Sequence, residues 1–179
     1  MTDAHTRPLS DVRVLDFSTT IAGPHCGRLL ADMGADVIKI ESPEGDLMRS
    51  RPVQRSGQGT MFGQLNAGKR SIVLDLKKPE AIAAVKKLVA KVDIVLENYR
   101  PGVMKRLGID YSELAKINQR LVYGAISGYG QTGPAAGRPA YAPVIHASTV
   151  FDRAHRFYQQ GRERPDNCGS FVADDASGA

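Results

Sequence analysis

Short β-branched runs alternate with helical segments along most of the chain, and this alternation constrains the fold more than any single motif does. Residues 12–18 and 36–41 are apolar runs typical of buried strands. Between them, residues 25–33 carry apolar side chains at helical spacing, and Gly34 follows as a helix terminator. A strand, a helix and a strand in this order predict a parallel pair of strands with a right-handed crossover.

The alternation continues as far as residue 127. A clear amphipathic pattern begins at Pro79, a residue favoured in the first turn of helices. We predict further strands over residues 71–76, 93–99 and 121–127, and further helices over residues 79–92, just before Gly108, and over residues 111–118. This order predicts an α/β fold with a mostly parallel sheet flanked by helices.

Other stretches depart from the alternation. Residues 42–70 are rich in loop-forming and basic residues, and residues 55–60 are typical of a mobile segment. Beyond the last predicted strand, residues 140–157 are predicted to be helical and residues 159–169 to form a polar loop. Residues 171–179 begin a further apolar element.

Composition excludes several classes of protein. No apolar run approaches the ~20 residues that span a bilayer, and the first ten residues lack the apolar stretch of a signal peptide. Cys26 and Cys168 are too few for a disulfide framework or a four-cysteine zinc site. We therefore expect a cytoplasmic protein with no membrane segment and no metal ion.

The charge balance is mildly positive. Lys and Arg number 24 against 19 for Asp and Glu, which gives a net charge of +5, and the basic residues are spread along the chain. Nucleic-acid-binding proteins concentrate such residues on one face, so we expect no nucleic-acid partner. The excess suits a phosphorylated ligand or, equally, an ordinary solvated surface.

Two glycine-containing motifs resemble nucleotide-binding loops. Residues 128–133 match G-x-G-x-x-G after a predicted strand, but no helix is predicted to follow them, so a flexible loop able to cover a substrate is the better interpretation. Gly68 and Lys69 resemble the end of a P-loop, but a strand follows where a helix is needed. Lys69 and Arg70 remain candidates for contacting phosphates by charge.

Asp174 lies among small and apolar residues near the end of the chain, in the stretch VADDASG. An aspartate in this position is common as a helix cap or first-turn residue. It is also a candidate carboxylate nucleophile, since small neighbours would let a bulky thioester approach. The residue types alone leave both interpretations open.

Several longer segments, taken together, resemble one family. They occur in that family's order over nearly the whole chain, which is far more specific than any one motif. The segments are LSDVRVLDFSTTIAGP (residues 9–24), LADMGADVIKIE (30–41) with Gly45, Asp46 and Arg49, NAGKRSIVLDL (66–76), DIVLENYRPGVMKRLG (93–108), residues 128–134 and VAD (172–174). The chain is similar to the class III CoA-transferases, the formyl-CoA transferase and CaiB/BaiF group.

This resemblance implies a Rossmann-like fold interlocked with a second copy as a dimer, with coenzyme A or acyl-CoA as substrate and a carboxylic acid as acceptor. It implies that CoA moves between acids through an aspartyl-CoA thioester. The implied nucleophile is Asp174, with Asp175 as a one-residue alternative. Oxyanion donors are expected near Ile21 and Ala22. The remaining implied CoA contacts are Leu74, Lys77, Asn98, Tyr99 and Arg106.

The chain departs from the family pattern at two places. Ile21 stands where formyl-CoA transferases carry a glutamine, which favours a larger and more apolar acid than formate or oxalate. Related acyl-CoA racemases use a Gly-His-Asp stretch where this chain has Ala140, Tyr141 and Ala142, so α-proton chemistry is not expected.

An alternative to CoA transfer is an inactive CoA-binding or dimerisation module.

Members of the resembled family are well over twice this length. By resemblance, residues 1–179 form the N-terminal CoA-binding domain and lack the C-terminal half. We expect such a chain to pair with a second copy or with a complementary chain. We also expect it not to complete CoA transfer alone.

Overall fold

The computed structural model describes residues 7–156, Gly161 and residues 172–179. It contains seven short strands: β1 (Arg13–Asp16), β2 (Asp36–Glu41), β3 (Gln54–Arg55), β4 (Gln58–Gly59), β5 (Arg70–Val73), β6 (Ile94–Glu97) and β7 (Val122–Ala125). Five of them form one sheet in the order β5-β2-β1-β6-β7, and every neighbouring pair in it is parallel. The predicted α/β fold with a mostly parallel sheet is confirmed.

The helices connect these strands and continue after the last one. They are α1 (Ala22–Asp32), α2 (Thr60–Asn66), α3 (Pro79–Val89), α4 (Val103–Arg106), α5 (Tyr111–Leu114), α6 (Ala142–Ser148), α7 (Phe151–Arg156) and α8 (Val172–Gly178). Within the described ranges, none of these helices is long and apolar enough to cross a membrane.

Both faces of the sheet are covered by apolar side chains. On one face, Val85 and Val89 of α3 pack with Leu15 of β1 in the larger core cluster. On the other face, Ala31 of α1 packs with Val14 in a smaller cluster. The central strand therefore buries successive residues on opposite faces, which explains its near-continuous apolar sequence.

The helix after β1 begins earlier than predicted. It starts at Ala22 rather than at residue 25, and Pro24 is the third residue of its first turn. Proline is tolerated there because the first N–H groups of a helix have no intrahelical acceptor. Ala22 is thereby placed at the helix start, directly after the central strand.

The stretch over residues 42–70, predicted to be rich in loops, also contains regular elements that the sequence did not indicate. Strands β3 and β4 form an antiparallel hairpin, and helix α2 follows at once. Phe62 and Leu65 of α2 are buried against Ile21 and Met48. A helix of two turns shows little periodicity in sequence, so tertiary packing rather than pattern defines it.

The predicted helix over residues 140–157 is divided into α6 and α7. Val150 has a left-handed φ of 65°, which interrupts the helical hydrogen bonding between them. The polar loop predicted over residues 159–169 lies, apart from Gly161, outside the described residues. Phe171 also lies outside them, and helix α8 begins at the next residue.

The strand order creates a crevice at one edge of the sheet. Strand β1 lies between β2 and β6. Helix α1, which follows β1, packs on one face of the sheet, whereas α4 and α5, which follow β6, pack on the other. The chain therefore leaves the carboxyl ends of β1 and β6 in opposite directions. Ligands of open α/β sheets bind in the crevice at such a reversal of strand order.

Candidate functional site

A cavity of about 260 Å³ occupies this crevice, and Asp174 of α8 lines it. The other lining residues come from the β1–α1 loop, the end of β6 and the segment before α6. They are Thr19, Thr20, Ile21, Ala22, Asn98, Tyr99, Arg100, Pro139, Ala140 and Tyr141. Four separate segments of the chain thus meet at one carboxylate.

A second cavity of about 160 Å³ adjoins the first and also has Asp174 in its wall. Small and apolar residues dominate its lining, which adds Ile126, Ser127, Gly128, Ile145, Ala173 and Ser177 to the shared Ala22, Asn98 and Ala140. Asp174 therefore faces two spaces at once. Asp175 is exposed and lines neither of these two cavities.

Helix α8 is held at both ends. At its start, the Ala173 N–H donates to Nε2 of His146 at 3.1 Å. At its end, Gly178 packs on α1, where an added Cβ would overlap the carbonyl oxygen of Ala22 and lie 3.1 Å from Cβ of His25. Only glycine fits this approach. Asp174 lies between the two anchoring contacts.

The surroundings of Asp174 disfavour its charged form. Burial raises the pKa of its carboxyl above the ordinary value, the neighbouring charge of Asp175 raises it further, and His146 lowers it only when its imidazole is charged. A carboxylate with less solvation and a raised pKa is more basic than one in water. Such a group is better suited to attack an electrophilic carbon.

The β1–α1 loop is held by a reciprocal pair of hydrogen bonds from Asn98. Its Oδ1 accepts the Thr19 N–H at 2.8 Å, and its Nδ2 donates to the Thr19 carbonyl at 2.8 Å. Thr20 has a left-handed φ of 71°, and its N–H donates to Asp46 Oδ2 at 3.3 Å. Because Asn98 has one remaining amide N–H, it combines loop positioning with at most one donor toward a ligand.

Two buried ion pairs lie beneath this loop. Lys39 Nζ lies 3.0 Å from Asp46 Oδ2 and donates to the Ser18 carbonyl at 2.7 Å. Lys69 Nζ lies 2.9 Å from Asp16 Oδ2 and donates to the Pro24 carbonyl at 2.8 Å. All four charged side chains are at most 1% exposed. They fix the backbone on both sides of Ile21.

The hypothesis that Lys69 contacts a phosphate is therefore wrong, whereas for Arg70 it stays a prediction. The ammonium group of Lys69 is buried and bound internally, and this burial lowers its pKa. Arg70 is exposed and forms a surface pair with Asp36, with 2.6 Å between Nη2 and Oδ2. Strand β5 follows Gly68 almost at once, which confirms that this segment is not a P-loop.

Two further cavities follow one another along Tyr99. One of about 260 Å³ is lined by Leu74, Lys77 and Tyr99, and the other, of about 120 Å³, by Lys39, Thr19 and Tyr99. Tyr99 also lines the Asp174 cavity. All three spaces share Tyr99 in their walls, and Thr19 lines both the cavity of about 120 Å³ and the Asp174 cavity.

The structure brings together most of the residues predicted for the site. Ile21, Ala22, Asn98, Tyr99 and Asp174 share one cavity, whereas Leu74 and Lys77 line the neighbouring one with Tyr99. Arg106 is exposed at the end of α4 and lines neither of them. Four residues that line the Asp174 cavity were not predicted as site residues from the sequence. They are Thr19, Thr20, Arg100 and Tyr141.

The glycine-rich segment after β7 does not open a helix. Residues 126–141 are all described and contain no helix, which confirms that residues 128–133 are not a dinucleotide fingerprint. Gly128 instead packs against Ala140, where an added Cβ would overlap the Ala140 Cβ. This contact places the glycine loop in the wall of the smaller Asp174 cavity.

A wider cavity of about 610 Å³ lies beyond β6 and β7 and shares only Arg100 with the Asp174 cavity. Glu97 lines it, and burial raises the pKa of this carboxyl to about 7. It contains none of the residues predicted for CoA binding.

Among the described residues, no group of three or more His, Cys, Asp or Glu side chains is arranged to hold a metal ion.

Comparison with known proteins identifies the class that this fold and site define. The chain belongs to CoA-transferase family III, whose family model matches residues 9–178. A CaiB/BaiF family protein from Brucella suis superposes with a TM-score of 0.86 at 37% sequence identity, covering 96% of this chain and 46% of that one. The Rossmann-like fold expected from the resemblance is that of this family.

Two relatives are CoA-transferases by name. The succinate–glutarate CoA-transferase of Agrobacterium fabrum is 43% identical over 161 residues, which are 84% of this chain and 40% of that protein. The succinyl-CoA–L-malate CoA-transferase beta subunit of Chloroflexus aurantiacus is 42% identical over 145 residues, 79% of this chain and 36% of that protein. The chain thus spans about two fifths of the length of these relatives.

Proposed function

We propose that this chain carries the CoA-binding and nucleophilic part of a class III CoA-transferase, which moves CoA between carboxylic acids. The observation that carries the proposal is the position of Asp174, whose side chain borders two adjoining cavities. One continues past Tyr99 to Lys77 and suits the long CoA chain. The other is smaller, and the acyl group would lie where the two cavities meet at Asp174, beside Ile21 and Arg100.

In the proposed reaction, a carboxylate oxygen of Asp174 attacks the thioester carbon of the donor acyl-CoA. The C–S bond breaks, which leaves a mixed anhydride on Asp174 and a CoA thiolate. The thiolate then attacks the Asp174 carbonyl carbon, and the donor acid leaves as a free carboxylate. The resulting aspartyl-CoA thioester passes CoA to an acceptor carboxylate by the same steps in reverse.

Each attack creates an oxyanion that needs hydrogen-bond donors. The first N–H groups of α1, on Ala22 and Gly23, have no intrahelical acceptor, and Ala22 lines both Asp174 cavities. We assign them as the donors. The anhydride and the thioester must also be kept from water, and the loop around Gly128 is our candidate for that cover.

We propose a dicarboxylic acid of four or five carbons as the acyl substrate. The names of the relatives, succinate–glutarate and succinyl-CoA–L-malate transferases, support this class. Ile21 stands in the lining of the larger Asp174 cavity without a polar side chain, and Arg100 provides a guanidinium group in the same lining for a second carboxylate. The acid is thus larger than formate.

We further propose that the protein works in the cytoplasm and pairs with a second chain, either another copy or a complementary subunit. A relative named as a beta subunit supports an assembly of more than one chain. The alternative function is a CoA-binding module without chemistry. It predicts CoA affinity but no reaction at Asp174.

A single-turnover assay separates these functions. The purified chain is mixed with succinyl-CoA, and free succinate is measured against time. The proposal predicts a rapid burst of about one succinate per chain, because formation of aspartyl-CoA releases the donor acid once. CoA binding without a burst would assign the chain to the binding module, and absence of both would overturn both functions.

Replacing Lys77 by alanine is expected to weaken CoA binding about fivefold, which corresponds to about 1 kcal/mol. Lys77 lines the outer cavity and offers a charge to the CoA phosphates, although its exposure to solvent limits the gain. Lys78→Ala is the matched control, since this neighbour is equally exposed but does not line that cavity. Calorimetric titration with CoA measures both, and equal dissociation constants would contradict this placement of CoA.

A further inference from the structure

We propose that His146 is a positioning residue for Asp174, and that it acts by fixing the first turn of α8 through the Ala173 N–H. This inference rests on the proposed role of Asp174 as nucleophile. It gives a function to a buried histidine that lines neither of the two Asp174 cavities.

His146 is a buried residue of α6 that contacts both α7 and α8. It is 2% exposed, and its ring lies 4.8 Å from the ring of Phe151, centroid to centroid. Its Nε2 accepts the Ala173 N–H at 3.1 Å, and its Nδ1 lies 3.8 Å from Asp152 Oδ1. One imidazole therefore joins helices α6, α7 and α8.

The direction of the hydrogen bond specifies the form of the ring. A backbone N–H is a donor only, so Nε2 must be unprotonated and the ring proton must lie on Nδ1. Asp152 on α7 faces that nitrogen and favours this tautomer. Asp174 on α8 is a second carboxyl group that would interact with a charge on the ring. The arrangement requires neutral imidazole with Nδ1–H.

The His146 side chain supplies a hydrogen-bond acceptor that the first turn of α8 lacks. Ala173 is the second residue of α8, where backbone N–H groups have no intrahelical partner. A buried side chain from another helix satisfies this one. Because Ala173 directly precedes Asp174 and Gly178 holds the far end of α8, both anchors together set where the carboxylate points.

Loss of the first anchor should displace the nucleophile without disturbing the CoA groove. His146 lies outside the linings of the cavities that contain Lys77 and Tyr99. A misplacement of about 1 Å at a reacting group costs on the order of 10²-fold in rate. The effect should therefore fall on the rate of the burst and spare CoA affinity.

The test compares His146→Phe, which keeps an aromatic ring but accepts no hydrogen bond, with His146→Gln, whose Oε1 can accept the Ala173 N–H. For each variant, the succinate burst, the CoA dissociation constant and hydrogen exchange in the peptide covering residues 172–178 are measured. We expect His146→Phe to slow the burst roughly 10- to 100-fold, to leave CoA binding within about twofold and to accelerate exchange in that peptide. His146→Gln should recover a rate within about threefold of the unmodified chain.

The readouts separate this inference from the proposed function. A burst in His146→Phe as fast as in the unmodified chain, or a His146→Gln variant as slow as His146→Phe, would overturn the positioning role while leaving Asp174 chemistry intact. If the unmodified chain gives no burst, the proposed function fails. The exchange measurement then tests by itself whether His146 fixes the first turn of α8. Unchanged hydrogen exchange of residues 172–178 in His146→Phe would overturn that role.

Discussion

Replacing Asp174 by asparagine is expected to lower the rate of the succinate burst by at least about 10³-fold, because a neutral amide does not attack the thioester. The substitution keeps the size of the side chain, so CoA binding should stay within about twofold. Asp175→Asn is the matched control, since Asp175 is adjacent, exposed and outside both cavities. Stopped-flow mixing with succinyl-CoA and quantification of free succinate measure both variants.

The pair of variants also resolves the ambiguity between two neighbouring aspartates. If Asp175→Asn abolished the burst and Asp174→Asn left it intact, the chemistry would belong to the exposed residue. If both variants reacted like the unmodified chain, neither carboxylate would be the nucleophile. Either result would contradict the proposed mechanism.

The second large effect concerns stability. Replacing Lys69 by alanine is expected to lower the free energy of unfolding by about 3–5 kcal/mol. The substitution leaves the Asp16 carboxylate buried without its cation, and it removes the donor to the Pro24 carbonyl. Urea denaturation followed by circular dichroism measures the change.

Arg70→Ala is the matched control for this experiment. Arg70 is the next residue and also forms an ion pair, but its side chain is 66% exposed and its partner Asp36 is 42% exposed. Exposed pairs contribute about 0–1 kcal/mol, so the control should be nearly neutral. Equal losses for Lys69→Ala and Arg70→Ala would show that the Lys69–Asp16 pair does not support the β1–α1 loop.

The fold was predictable because its signals are local. The apolar run that forms β1, the amphipathic pattern of α3 and the glycine that ends α1 each depend on neighbours in sequence. Helix α2 lacked such a signal, since its buried side chains Phe62 and Leu65 find their partners in Ile21 and Met48, distant in sequence. Its stability comes from packing, which a periodicity analysis does not detect.

The candidate site was predictable where strands end and unpredictable where tertiary packing assembles it. Asn98 and Tyr99 follow β6 directly, so their place at the crevice follows from sheet topology. Tyr141 reaches the same cavity only because the loop at Gly128 packs onto Ala140. No sequence spacing indicates that contact.

The buried lysines show a different limit of sequence reasoning. Lys69 stands beside an exposed arginine and was interpreted as part of a basic pair, because lysines are usually solvated. The position of Asp16 on the facing central strand reverses this, since a buried carboxylate needs a cation. The sequence signal that was available is Asp16 itself, an acidic residue between the apolar residues Leu15 and Phe17.

The most direct test of the account is to trap the covalent intermediate on Asp174. The chain is incubated with succinyl-CoA, its intact mass is measured, and hydroxylamine is added before peptide mapping. The account predicts a CoA-sized adduct that hydroxylamine removes, with the resulting hydroxamate on Asp174 and none in the Asp174→Asn variant. An adduct located on another residue, or no adduct while succinate is still released in a burst, would contradict the assignment of Asp174 as the nucleophile.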